Sequence, residues 1–376
     1  MSGTGGLGGL GGLGGLGGLG GLGGLGGLGG LGGLGNLTVT GLGLFVGAGA
    51  DPVYDPLMVQ GLEITEQTIS HVANAPSAGS APGELTFSAP GNMALWADWV
   101  RASLYLSDYL GDLKWKACDE DRRVTLSYGG SGHFYNVQKP PIECFQHQLP
   151  LMRAYMDQRP DRSPEILTQL GFPTPYFVML LGLQGGPNRY TFELIAITQV
   201  LAAHTAMVVK HHLACRRPDR IGAQIMPMIP TPAHASFPSA HATEAFAVAE
   251  VLNALVESRS DNYADFKKRQ ALISKLAERI AVNRTVAGLH FPIDSWAGAI
   301  LGRAVGQIIL SKCGQREGVQ GYRYCANGKL DFFLSEFSKD SNPKYGVEKE
   351  GCCAVGPSDL FNWLWEQASN EFELSR

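Results

Sequence analysis

Between Thr191 and Leu310 the chain is patterned almost entirely for helix. Four stretches, Thr191 to about Leu213, Ser239 to Glu257, Asp265 to Asn283 and Asp294 to Leu310, carry apolar residues at helical spacing. Loops with Pro, Gly or Ser at their edges separate them. Such helices can bury their apolar faces only against one another, so an all-α fold built on a helical bundle is expected. Polar residues fall at the ends of these stretches: Lys210 and Arg217 where the first runs out, Ser239 and His241 where the second begins. Arg284 ends the third, and His290 and Asp294 lie at the start of the fourth. A site assembled from them would lie between facing helix ends.

The remainder of the chain is less regular. Gly5 to Leu34 is Gly-Gly-Leu repeated, with Leu at every third position from Leu7. Each Gly costs a helix about 1 kcal/mol relative to Ala, so this tract is not helical. It lacks the proline of collagen-like triplets, and it matches G-x-G-x-x-G without a preceding strand or a following helix, which excludes a dinucleotide site. Residues 1–35 read as a low-complexity tail, and 36–140 as a loop-rich region with short strands at Leu37–Thr40 and Glu84–Phe87. Within that region a helix is expected from Met93 to Leu110 and a hairpin from Arg122 to Tyr135, turning at Gly129-Gly130. Residues 141–315 form the bundle, with a helix starting at Ser163-Pro164-Glu165, and 316–376 a C-terminal extension.

Charge is nearly balanced, 30 basic against 34 acidic residues, so no overall field favours nucleic acid or an anionic membrane. The longest apolar run, Phe192 to Val209, is interrupted by Glu193, Gln199 and His204 and reads as a core helix rather than a membrane span. With no secretory pattern at Met1-Ser2-Gly3-Thr4 and seven unpatterned cysteines, a soluble cytoplasmic protein with reduced thiols is expected. A bridge among Cys313, Cys325, Cys352 and Cys353 stays open.

The chemistry rests on three segments: Lys210…Arg217-Pro218, Pro238-Ser239-Ala240-His241 and Arg284…His290…Asp294. They gather three cations, a serine hydroxyl, helix-terminal amides and two imidazoles, an inventory suited to a tetrahedral oxyanion such as phosphate or vanadate. Ser239 is also an ordinary N-cap, and Asp294 either caps its helix or holds one nitrogen of His290, or does both. The helix dipole should depress the pKa of His241.

In these segments the chain resembles the superfamily that joins vanadium-dependent haloperoxidases with type-2 phosphatidic acid and bacterial acid phosphatases. The resemblance implies that Lys210, Arg217 and Arg284 hold the anion's oxygens, helped by Ser239 and the amide of Ala240. It implies that His290 ligates vanadium or attacks phosphorus, that His241 is the acid–base group and that Asp294 orients His290. The family's usual Gly is Ala240 here, and the usual Ser before the second Arg is Asn283. His234, seven residues before His241, resembles a second active-site histidine of bromoperoxidases. The expected function is therefore a vanadate-dependent haloperoxidase with one vanadate per chain, oxidising bromide, with iodide and chloride left open, by hydrogen peroxide to a hypohalous acid equivalent that reacts with small organic acceptors. No nucleic acid or membrane is expected as partner, and a homo-oligomer stays open. The alternatives are a soluble phosphatase acting through a phosphohistidine, and a repeat-driven self-assembling protein with a vestigial anion pocket.

Overall fold

The computed structural model describes residues 60–61 and 83–374, apart from 131 and 263. The Gly-Gly-Leu tract and the strand expected at Leu37–Thr40 lie outside the described residues. In chain order, a 3-10 turn at Pro90–Leu95 leads into α1 (Asp98–Asp112). The strands β1 (Leu113–Cys118), β2 (Arg123–Tyr128) and β3 (His133–Gln138) follow. Next come α2 (Ile142–Tyr155), α3 (Arg159–Thr168), α4 (Thr174–Leu181), α5 (Arg189–Leu213), α6 (Ala240–Ser258), α7 (Phe266–Val286) and α8 (Pro292–Lys312). The chain then forms β4 (Val319–Tyr324), α9 (Leu334–Phe337), β5 (Val347–Cys353) and α10 (Asp359–Leu374).

The four long helices fall where the periodicity places them, with ends shifted by a few residues. The expectation of an all-α fold needs correction. The chain is mostly helical, 60%, but it carries a five-stranded mixed sheet in the order β1-β2-β3-β4-β5. The hairpin is present, with Leu126 opposite Tyr135, and it is extended by β1 on one side. On the other side β3 pairs in parallel with β4, which pairs antiparallel with β5, so residues far apart in sequence share one sheet. Parallel partners nearly two hundred positions apart leave no local signature. Glu84–Phe87 is loop and turn rather than strand. Ser163-Pro164-Glu165 does not open a helix: α3 begins at Arg159, with Pro160 in its first turn, and Pro164 lies inside it. Among the described residues no two cysteines are bridged.

Helix α6 is the centre of the bundle, packed on α5, α7 and α8. Its approach to α8 depends on Gly298, Gly302 and Gly306, spaced by four and hence on one helix face. A methyl group at Gly298 would sit 2.5 Å from the Ser239 carbonyl, and one at Gly302 would strike the Thr243 carbonyl. This contact draws the Ser239–His241 end of α6 against the start of α8, where Asp294 lies. The Ser239 amide donates to the Asp294 carbonyl at 2.9 Å, and the sheet is fastened to the same helix by Tyr135, whose hydroxyl donates to the Ala297 carbonyl at 3.1 Å.

The Phe192–Val209 run, expected as a core helix, lies within α5. Among the described residues one helical stretch, Arg189–Arg220, is long and apolar enough to cross a membrane, with mean hydropathy 1.6. A buried core helix has the same composition, and 72% of this window is buried within the fold.

Candidate active site

The loop between α5 and α6, the end of α7 and the start of α8 converge on His290. Arg284 lies in the last turn of α7, and Gly288, at φ +82°, turns the chain back so that His290 precedes α8. Asp294, at the third position of α8, accepts from the Phe291 amide at 3.1 Å, which caps the helix. The same oxygen, Oδ2, lies 2.9 Å from Nδ1 of His290 and accepts a short hydrogen bond from the Ser236 hydroxyl. Asp294 therefore does both jobs.

The other nitrogen of His290, Nε2, lies 2.9 Å from Nη1 of Arg217. A guanidinium can only donate, so Nε2 must present its lone pair and Nδ1 must carry the proton toward Asp294. The imidazole is fixed as the tautomer whose free electron pair faces the cationic groups. Burial, followed by the Arg217 and Lys210 charges, keeps its pKa well below the usual histidine value, so at neutral pH the ring is uncharged.

Arg217 is the hub of this half of the site. Its Nε donates to the His234 carbonyl at 2.9 Å, its Nη1 also donates to the Leu289 carbonyl at 3.0 Å, and its Nη2 lies 3.2 Å from Nδ1 of His234. His234 thus stands beside the Arg217 guanidinium, its pKa lowered to about 3 by burial and by Lys210 and Arg217. Lys210 is fully enclosed, and its ammonium donates to the carbonyls of Ala235 and Ser236 at 2.8 and 2.7 Å. Burial and the Arg217 charge lower its pKa well below the usual lysine value. Ser239 caps α6 by accepting from the Ala242 amide at 3.3 Å, and Ala240 is buried beside it.

The second half of the site turns on a residue that sequence reasoning did not single out. The Gln169 carbonyl accepts from Nε2 of His241 at 3.0 Å and from Nη1 of Arg284 at 3.0 Å. Its side-chain oxygen accepts from Nη2 of Arg284 at 3.2 Å and from the Asn283 amide at 3.0 Å. A carbonyl cannot donate, so His241 carries its proton on Nε2. The pKa of His241 falls to about 3, as expected, but the leading causes are burial and the Arg284 charge rather than the helix dipole. Asn283 also accepts from Arg162 at 3.0 Å, a contact a serine in its place would be too short to make from the same backbone position.

Of the expected residues, Lys210, Arg217, His234, His290 and Asp294 gather near one imidazole and Arg284 and His241 meet on Gln169, while Ser239 and Ala240 lie at the start of α6. Two more were missed. Ser236, buried two positions before Pro238, had no signal except its nearness to the motif. Glu244 is a carboxylate in an otherwise apolar stretch of α6, and that break in pattern could have been noticed.

The arrangement can neutralise a tetrahedral dianion with buried cations and present a neutral, oriented imidazole to its central atom. Asp294→Asn should lower turnover about 10- to 100-fold, as loss of an orienting carboxylate does, while the fold is kept. Steady-state rates and melting curves on the same preparation check this, and unchanged turnover would remove Asp294 from the mechanism.

Comparison with known proteins bears on which reaction this is. A sequence model of the family described as the PAP2 superfamily matches residues 192–316. Decaprenylphosphoryl-5-phosphoribose phosphatases from two strains of Mycobacterium tuberculosis, CDC 1551 / Oshkosh and ATCC 25618 / H37Rv, are each 33% identical over 139 residues. The match covers 37% of this chain and 71% of theirs. A solved transmembrane PAP2 type phosphatidylglycerolphosphate phosphatase from Bacillus subtilis is 22% identical, over 42% of this chain and 80% of that one, with a TM-score of 0.35.

Proposed function

Since the chain belongs to the PAP2 superfamily, we propose that it is a phosphatase that hydrolyses a phosphate monoester through a phosphohistidine at His290. The observation that carries this reading is the fixed tautomer of His290, with Nδ1 on Asp294 and the Nε2 lone pair directed at Arg217. Nε2 attacks phosphorus, the P–O bond to the alcohol breaks, and the alkoxide takes a proton from the doubly protonated, cationic form of His241, which the bound anion favours by countering the Arg284 charge that otherwise keeps the ring neutral. His241 then accepts a proton from water as the oxygen attacks phosphorus, the P–N bond breaks, and inorganic phosphate leaves. Lys210, Arg217 and Arg284 counter the charge on the phosphoryl oxygens throughout.

This reading displaces the haloperoxidase expectation, because the relatives whose names state an activity are phosphatases. One observation keeps the haloperoxidase as a second reading: His234 stands 3.2 Å from Arg217, inside the site. The same buried cations and His290 suit vanadate, which when bound would supply Lewis-acid activation of peroxide. For the substrate, the mycobacterial relatives' name gives a decaprenylphosphoryl compound, and exposed Leu167 and Leu170 flank Gln169. A long-chain phosphomonoester therefore belongs beside a simple one in the first assay. Phosphomonoester hydrolysis and vanadate-loaded bromide oxidation should be measured on one preparation. Hydrolysis without bromination is expected, and bromination without hydrolysis would reverse the order.

A further inference from the structure

Glu244 lies one turn beyond His241 on α6, has no exposed surface, and neither of its carboxylate oxygens has a hydrogen-bond partner among the described residues. The charged groups that act on it are Lys210, from α5, and Arg284, from α7, both of them members of the oxyanion site. On the third packed side, α8 presents Gly298 and Gly302, which lie against Ser239, Ala242, Thr243 and Phe246. On its own helix the nearest ionisable neighbour is His241, whose ring is neutral above about pH 3.

A buried carboxylate without hydrogen bonds is costly when ionised, and here its only compensation is the charge of two cations. A phosphate-like dianion seated on the same cations uses that compensation and repels the carboxylate. We propose that Glu244 is a proton-linked switch on the anion site, and that Lys210, Arg217 and Arg284 hold a dianion tightly only while this carboxyl carries its proton. The switch rests on the reading of the site as an oxyanion-binding phosphatase centre. Burial supports it by pushing the Glu244 carboxyl up to about 8 against the pull of Lys210 and Arg284, so the acid is neutral at pH 7. Raising the pH ionises Glu244 in the empty protein, and binding must then be accompanied by proton uptake. Affinity therefore falls as pH rises through that range.

Sulfate is the probe, because it remains a dianion throughout and cannot itself take the proton. Calorimetric titration of wild type and Glu244→Gln should be run from about pH 6.5 to about pH 9.5 in buffers of different ionisation enthalpy. Wild type should bind evenly near pH 7 and lose about tenfold in affinity per unit above about pH 8, with proton uptake approaching one per site. Glu244→Gln should take up about one proton fewer than wild type, leaving in place any uptake by Lys210, whose pKa is also lowered, and should bind sulfate at least about tenfold more tightly than wild type at about pH 9. Glu244→Met, also uncharged, should behave alike and serves if the Gln variant fails to fold. Parallel affinity curves and equal proton counts would overturn the switch. Phosphomonoester hydrolysis on the same preparations separates the two ideas. Hydrolysis alongside parallel curves removes only the role of Glu244, whereas no sulfate binding and no hydrolysis removes the site reading with it. Hydrolysis without sulfate binding overturns the switch alone.

Discussion

Replacing His290 by alanine is expected to abolish phosphomonoester hydrolysis, a loss of about three orders of magnitude or more, because the side chain is the nucleophile itself. Among the described residues nothing nearby can substitute: the neighbouring imidazole of His241 has its Nε2 proton engaged with Gln169, and His234 has a backbone carbonyl rather than a carboxylate at Nδ1. The substitution also removes partners from Arg217 and Asp294, both buried, so a stability cost of about 1–3 kcal/mol is expected as well. Melting curves distinguish the two effects, and rates must be normalised to folded protein. Near-normal turnover in folded His290→Ala would mean that the third motif is not part of the catalytic machinery.

Arg284→Ala should weaken binding of inorganic phosphate at least tenfold, because charge-assisted bonds to a buried oxyanion are worth about 1.5–3 kcal/mol. Burial lowers the guanidinium pKa only to about 10, so Arg284 is cationic at neutral pH. Its loss also strips two donors from Gln169 and leaves α3 and the loop after it less firmly tied to α7. Arg284→Lys should restore part of the affinity by charge but not the two-pronged contact to Gln169. Equilibrium dialysis with phosphate across the three proteins checks this, and unchanged affinity in the alanine variant would place the anion elsewhere.

The bundle and its motif residues were legible because both follow from local pattern. Apolar periodicity marks α5 to α8, and Lys210, Arg217, His241, Arg284 and His290 break that pattern at helix ends. The sheet was only half legible. The β2–β3 hairpin announces itself by alternation and a Gly-Gly turn, but β4 joins β3 across the whole bundle, a pairing that no local rule reports. Gln169 was missed for a similar reason: what matters is its backbone carbonyl, and any residue type has one. Ser163-Pro164-Glu165 had every mark of a helix start, yet α3 begins at Arg159, where the guanidinium is anchored on the carbonyls of Ile225, Met226 and Val286. Tertiary hydrogen bonds there outweigh a local capping preference. The Phe192–Val209 run shows the opposite difficulty, since burial in a bundle and burial in a bilayer select the same residues.

The central claim is that phosphorus is transferred to Nε2 of His290, and trapping that intermediate tests it most directly. Folded protein turning over a phosphomonoester should be quenched in alkali, where a phosphohistidine survives, then digested and examined by mass spectrometry. The expected result is a phosphorylated peptide spanning Arg284 to Asp294, with the phosphoryl group on His290, labile in acid, absent from His290→Ala and formed more slowly in Asp294→Asn. Brisk hydrolysis with no phosphate on His290, or with the phosphoryl group on another residue, would contradict it.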